Sequence, residues 1–184
     1  MGGTAPDGLE PLVGWRIWDV VDLDGSLRLC SLAFWSIWIP RRPALAVCRR
    51  TLIDRRAGIP DHDAPAERCT CGIYATTTPR GAVSFARQFT RRRDTVQRVL
   101  GRVALWGAVV ESELGWRGAH AYPESVIVNG WIRDRGFRGR LDPTTRRPAE
   151  EIAIGLEDYG VPIDLVHVPS DKALVELLER GAEA

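Results

Sequence analysis

The sequence predicts an α+β fold: a curved, mostly antiparallel sheet with a cysteine-containing loop, followed by a C-terminal helix–strand–helix unit. Three observations support this class. Aromatic and β-branched runs separated by turn residues fill most of positions 12–132, as expected for strands. A Gly/Pro-punctuated stretch without periodicity interrupts them at 54–70. Beyond position 148, helical and strand-like spacings of apolar residues alternate.

Length and composition indicate one globular domain. The chain has 184 residues, 45% hydrophobic and 27% charged, which is enough apolar surface for a core. We divide it into a flexible arm at 1–11, a Trp-rich, mainly β domain with the Cys/His loop at 12–132, a basic linker at 133–147, and a C-terminal α/β unit packed on the same domain at 148–184.

The segments of the first half are, in order, a strand at 14–21, a turn at 22–25, a returning strand at 26–32, an apolar aromatic piece at 34–39 and a short alternating segment at 43–49. After the loop, Thr78-Pro79 indicates a helix start. The run at 98–110 is the strongest strand pattern, and Gly101 and Gly107 within it indicate bulges.

The remaining segments are a turn at 113–115, a returning strand at 116–122, a strand or helical turn at 126–132, a helix at 148–159, a strand at 163–168 and a helix at 170–180. Gly160 is expected to end the first of these helices and Ser170 to cap the second. Five tryptophans in apolar runs are expected in the core (Trp15, Trp18, Trp35, Trp38, Trp106), and two at a surface (Trp116, Trp131).

The cellular location and the partners are inferred from targeting patterns and from the distribution of charge. No apolar run approaches the roughly 20 residues of a spanning helix, and the first ten residues do not resemble a signal peptide. We therefore expect a cytoplasmic protein without a membrane partner. Residues 41–102 carry a net charge of +9 and residues 141–184 a net charge of −6. These two stretches could attract each other, or the basic one could face an anionic partner.

Four thiol or imidazole side chains lie within 24 positions, in the pattern C-x13-H-x6-C-x-C: Cys48, His62, Cys69 and Cys71. These residue types bind zinc tetrahedrally. In the cytoplasm, clustered thiols favour metal over disulfides. The sequence thus predicts a structural zinc site that holds the loop.

Other interpretations of the cysteines remain open. Cys48 and Cys71 could be small buried hydrophobes beside an exposed His62. Cys30, in a strand, is expected in the core but could replace His62 as a ligand. Alternatively, Cys69 and Cys71 could form a reducible pair in a thiol redox protein, with the Cys71 pKa lowered by a following helical turn.

Two further clusters have candidate chemistry. The densest basic patch comprises Arg87, Arg91, Arg92, Arg93 and Arg98. It could bind nucleic acid through phosphates, or be a solvated helix end. His120 opposite Glu111 and Glu113 could do acid–base work, or be an ordinary strand histidine beside surface carboxylates.

The segments CTCGIYA at 69–75 and VLGRVALWGAVVESELGWRGAHAYP at 99–123 resemble those of small, uncharacterised actinobacterial-type proteins. This resemblance implies a bacterial protein and brings no catalytic residues to transfer. From the residues themselves we expect a non-enzymatic binding or adaptor module with a protein partner, stabilised by zinc. Nucleic-acid binding at 87–102 and thiol redox chemistry are the alternatives.

Overall fold

The computed structural model describes residues 10–48, 62–130 and 147–181. Within these ranges the strands are β1 (Leu12–Leu23), β2 (Ser26–Cys30), β3 (Ala44–Leu45), β4 (Ile73–Thr76), β5 (Thr95–Ser112), β6 (Gly115–Asn129) and β7 (Ile163–Val166), and the helices are α1 (Pro79–Ala86), α2 (Ala149–Leu156) and α3 (Asp171–Gly181). One mostly antiparallel sheet contains all seven strands, so the predicted α+β class is confirmed. The predicted arm and basic linker lie outside the described residues except at their edges, as do positions 54–61 of the predicted loop and Trp131.

β1 and β2 form the predicted hairpin. Its two-residue turn has positive φ at both positions, 51° at Asp24 and 87° at Gly25. This type I′ geometry matches the twist of the paired strands. The Gly25 N–H also donates to Asp22 Oδ1 at 2.7 Å, which supports the turn.

The long strands β5 and β6 form the centre of the sheet. β5 pairs with β1 and β6, and β4 joins β6 back to β1, so these four strands close a ring. The β5–β6 register shifts between Trp106 and Val109, and Gly107 lies there with φ of 77°, which confirms a predicted bulge. At Gly101 a Cβ would lie 2.1 Å from the Ser125 carbonyl oxygen, so the strands approach too closely there for a side chain.

One edge of β6 is shared by three strands. Because β5 occupies the other edge, β4, β3 and β7 follow one another along it, opposite residues 115–118, 120–121 and 126–129 respectively. β7 is parallel to β6, so α2 is the crossover between them. The 126–129 part of the ambiguous segment at 126–132 is therefore the end of a strand.

Apolar side chains pack on both faces of the sheet. Val99 and Leu100 are adjacent on β5 and belong to different buried clusters, as the two-residue period of a strand requires. The first cluster includes Ile152 of α2, and the second includes Ala82 of α1 and Leu174 of α3.

The C-terminal unit is joined to the hairpin by a buried tyrosine. After α2, a short 3-10 segment, Glu157–Tyr159, ends at Gly160 with φ of 67°, as predicted for a helix terminator. The Tyr159 hydroxyl accepts from the Leu29 N–H at 2.9 Å and donates to the Trp38 carbonyl at 2.6 Å. Leaving either partner unpaired in this buried setting would be costly.

The helix starts agree with the expected caps. Thr78 Oγ1 accepts from the Gly81 N–H at 3.1 Å, and Ser170 Oγ accepts from the Ala173 N–H at 3.1 Å. Arg80 of α1 and Glu179 of α3 form an ion pair at 2.7 Å, which links the basic stretch to the acidic one. None of the helices in the described ranges has the length and apolar character needed to cross a membrane.

The tryptophan predictions are only partly right. Trp18 and Trp38 are buried and meet edge to face, with ring centroids 5.4 Å apart. Trp35 is 44% exposed, so its expected core position is wrong: the 34–39 piece makes only one isolated bridge to the sheet, at Ile37. Trp116, expected at a surface, is half-buried and packs against the core.

Candidate metal centre

The four predicted ligands come together. One donor atom from each of Cys48, His62, Cys69 and Cys71 lies within 4.8 Å of all the others. Cys48 Sγ is 3.8 Å from Cys69 Sγ, and His62 Nε2 is 3.2 Å from Cys71 Sγ. All four side chains are half-buried.

The two sulfur–sulfur and sulfur–nitrogen distances can be compared with the edges of a tetrahedral zinc site. With Zn–S bonds of about 2.3 Å and Zn–N bonds of about 2.0 Å, the edges of the tetrahedron are about 3.8 Å for sulfur–sulfur and about 3.5 Å for sulfur–nitrogen. The Cys48–Cys69 separation matches the first edge. The His62–Cys71 contact is shorter than the second, so a bound ion would require a small outward movement of the imidazole.

The shared edge of β6 explains why distant positions meet. β3 runs antiparallel to β6 toward residue 118, and the Ala46 N–H continues the pairing by donating to the Ala119 carbonyl at 2.7 Å. Cys48 follows two residues later. β4 begins opposite Gly118, just after Cys71. The end of one strand and the start of the other therefore approach the same point.

Gly72 allows the turn into β4. Its φ is 123°, a conformation that L side chains rarely adopt. A Cβ at this position would lie 2.9 Å from the Arg117 Cβ and 3.0 Å from the Pro65 Cβ. Glycine is thus required at this position by both backbone and space, and it brings the C-x-C segment against β6.

Arg117, on β6, supports the segment from below and was not predicted from the sequence. It is 9% exposed. Its Nη1 donates to the carbonyl oxygens of Cys69, Cys71 (2.8 Å) and Ala66 (3.3 Å). In a chain rich in arginine nothing local distinguishes this one, and only the β4–β6 register reveals its position.

The thiol environment does not resemble that of a reactive cysteine. Burial raises the pKa of the Cys71 thiol, and the neighbouring Cys69 thiol raises it further. Gly72 leads into a strand instead of the helical turn that was expected to lower the Cys71 pKa, so that expectation is wrong. A raised pKa reduces the thiolate fraction available for redox chemistry at neutral pH.

Cys30 does not belong to the cluster. It is fully buried at the end of β2, where its Sγ contacts Arg92 Nη1 at 3.4 Å. Burial raises its thiol pKa. The group of side chains that the structure brings together therefore includes His62 and not Cys30.

The arginines of the predicted patch do not form one surface, because their guanidinium groups have different partners. Arg98 forms a buried ion pair with Asp19 at 2.9 Å. Arg92 donates to the Leu32 carbonyl at 3.4 Å, and its guanidinium lies 5.1 Å from the Trp35 ring centroid. The remaining members are Arg91, which donates to the Val96 carbonyl at 2.7 Å, and the exposed Arg87 and Arg93.

The predicted acid–base pair does not form. His120 stacks on Trp106 with ring centroids 5.9 Å apart. Glu111 and Glu113 are exposed, and neither forms an ion pair with His120 in the part of the chain that the structure describes.

The chain was compared with protein-family models, with curated proteins and with solved structures, and none of them matches. A function must therefore be argued from the site itself.

Proposed function

We propose that this protein is a non-enzymatic binding module whose cysteine loop is held by a structural zinc ion, with Cys48, His62, Cys69 and Cys71 as the ligands. The observation that carries the proposal is the convergence of their four donor atoms within 4.8 Å.

Donor chemistry favours zinc among the common metals. Thiolate sulfur and imidazole nitrogen suit zinc, whereas calcium and magnesium require oxygen ligands. A tetrahedral set of sulfur and nitrogen donors also disfavours the square arrangements preferred by divalent copper and nickel.

The number of ligands supports a structural role. A catalytic zinc keeps one position open for water or substrate, whereas a structural zinc has all four positions filled by the protein. Here four protein donors surround one point. Zinc would cross-link the end of β3 to the segment before β4 and so stabilise the connection between them.

A binding role is supported by exposed apolar side chains next to this cross-link. Leu45 and Val47 are 63% and 67% exposed on the segment that leads to Cys48. β3 is only two residues long, so little else in the described sheet holds this segment. Zinc at Cys48 would fix these side chains in one arrangement for a protein partner with complementary apolar groups.

Metal analysis with matched variants tests the proposal. Purified protein should contain about one equivalent of zinc per chain, and Cys71→Ser and His62→Ala should each lose it. Cys30→Ala and His167→Ala change the same residue types outside the cluster and should retain zinc. Wild-type protein that takes up no zinc, or controls that lose as much zinc as the ligand variants, would contradict the proposal.

A further inference from the structure

We propose that Arg117 is the buried counter-charge of the metal centre. This inference rests on the proposed function. Three thiolates and one neutral imidazole around a divalent zinc ion leave the centre with one net negative charge. Arg117 carries the balancing positive charge from below the C-x-C segment and so favours the metal-bound state.

The partners of Arg117 support this role. Its guanidinium donates to three carbonyl oxygens, and its centre lies 6.0 Å from the Tyr74 ring. Among residues 10–48, 62–130 and 147–181, no carboxylate forms an ion pair with it. Arg98, the comparably buried arginine of β5, does have one, in Asp19.

A buried cation without an anion is unfavourable, since carbonyl dipoles replace only part of its hydration. Two of the three carbonyls belong to Cys69 and Cys71, so the guanidinium contacts the backbone of two proposed ligands. When the metal is absent, no carboxylate of the described residues balances Arg117. When the metal is bound, the negative centre does.

Metal and arginine should therefore stabilise one another. Such coupling is reciprocal: Arg117 should strengthen zinc binding by the same factor by which zinc reduces the cost of burying Arg117. A purely structural role, in which Arg117 only ties down the loop carbonyls, would contribute equally with and without zinc.

The test is a thermodynamic cycle on the full chain. Arg117→Gln keeps hydrogen-bond donors but removes the charge, Arg117→Lys keeps the charge, and Arg102→Met is the matched control on β5, where Arg102 is exposed and paired with Glu124 at 2.8 Å. Zinc Kd is measured by chelator competition. Urea unfolding is measured with saturating zinc and with zinc removed.

We expect Arg117→Gln to weaken zinc binding by about tenfold or more, the usual size of an effect from residues that support metal ligands. Arg117→Lys should stay within about threefold of wild type, and Arg102→Met should change nothing. The urea midpoint of Arg117→Gln should fall more in the zinc-loaded protein than in the zinc-free protein.

Three results would overturn the inference. Equal losses of stability with and without zinc, together with an unchanged zinc Kd, would leave the proposed function intact and reduce Arg117 to a structural residue. A loss of zinc affinity of about tenfold in Arg117→Lys, which keeps the charge, would show that charge is not the cause, and this result can be read even if the Gln variant fails to fold. Wild-type protein that binds no zinc would remove both proposals together.

Discussion

The side chains of the cysteine cluster come together in the structure, whereas those of the arginine patch do not. The ligands span 24 positions and come from three separate segments, yet their donor atoms converge within 4.8 Å. The arginines span only twelve positions, yet their guanidinium groups diverge: toward Asp19, toward backbone carbonyls, over a tryptophan ring, or into solvent.

This contrast shows that close spacing in the sequence does not by itself predict that side chains meet in the structure. Only Arg98 of the patch lies on a strand, and the other four arginines lie in the connection between α1 and β5, so a dense run of charges is divided among different surroundings. Distant residues can meet when strands share one edge of a sheet, as β3 and β4 do along β6. Whether these distant side chains meet therefore depends on the register of the strands that carry them.

Zinc removal should have the largest effect on the free energy of unfolding, and it tests the cysteine cluster directly. At a free zinc concentration a thousandfold above Kd, a single site stabilises the folded state by about 4 kcal/mol. Chelation should lower the free energy of unfolding by that amount in wild type and by nothing in Cys71→Ser. Thermal melts with and without chelator measure this. Equal melts for chelated and zinc-loaded wild type would contradict it.

Breaking the buried Arg98–Asp19 ion pair should have the next largest effect on the free energy of unfolding, and it tests the arginine patch. Arg98→Met leaves Asp19, which is 1% exposed, without its charge partner, and we expect a loss of about 3 kcal/mol in unfolding free energy. Arg93→Met, at an exposed position of the same patch, should stay within about 0.5 kcal/mol of wild type. Urea denaturation compares them. Similar losses in both variants would mean that the patch acts as one unit.

Thiol reactivity should show a smaller, directional effect. Because burial raises the pKa of Cys71, its thiol in zinc-free protein stays protonated at neutral pH and gains reactivity only as pH rises past the ordinary thiol value. Alkylation of Cys71 at pH 7 should therefore be slower than that of a free cysteine. Mass spectrometry of time-quenched samples measures the rates, and faster alkylation would favour the redox alternative.

Nucleic-acid binding should show the smallest effect. Only Arg87 and Arg93 of the patch are exposed, so we expect wild type and the double variant Arg87→Gln/Arg93→Gln to bind a single-stranded oligonucleotide equally weakly. Fluorescence anisotropy over a salt series tests this. Tight binding by wild type would favour nucleic-acid binding at the arginine patch if the slope of log affinity against log salt concentration falls by about 1.5 in the double variant.

Local chemistry was sufficient for much of the fold. The Asp-Gly turn, the Thr78 and Ser170 caps, the Gly160 terminator and the Gly107 bulge all follow from backbone preferences of single residues, and all are present. The metal ligand types were equally visible, because cysteine and histidine are scarce in this chain.

Residues whose role depends on distant partners were not predictable. Trp35 lies in the same aromatic run as Trp38, three residues before it, but only Trp38 packs against Trp18. Cys30 was expected in the core, but it stayed an alternative to His62 as the fourth ligand until the structure placed it beside Arg92. Arg117 had no distinguishing neighbour at all.

The amino-acid sequence by itself determined the fold class, the turns and caps, and the set of residue types able to hold a metal, since these depend on side-chain chemistry and short-range backbone geometry. Only the tertiary structure decided which thiols and which imidazole meet, which arginines are buried, and that one of these lies against the ligand segment. Those outcomes depend on the register of β3 and β4 along β6, and because no tight turn joins either strand to β6, short-range turn geometry does not set that register.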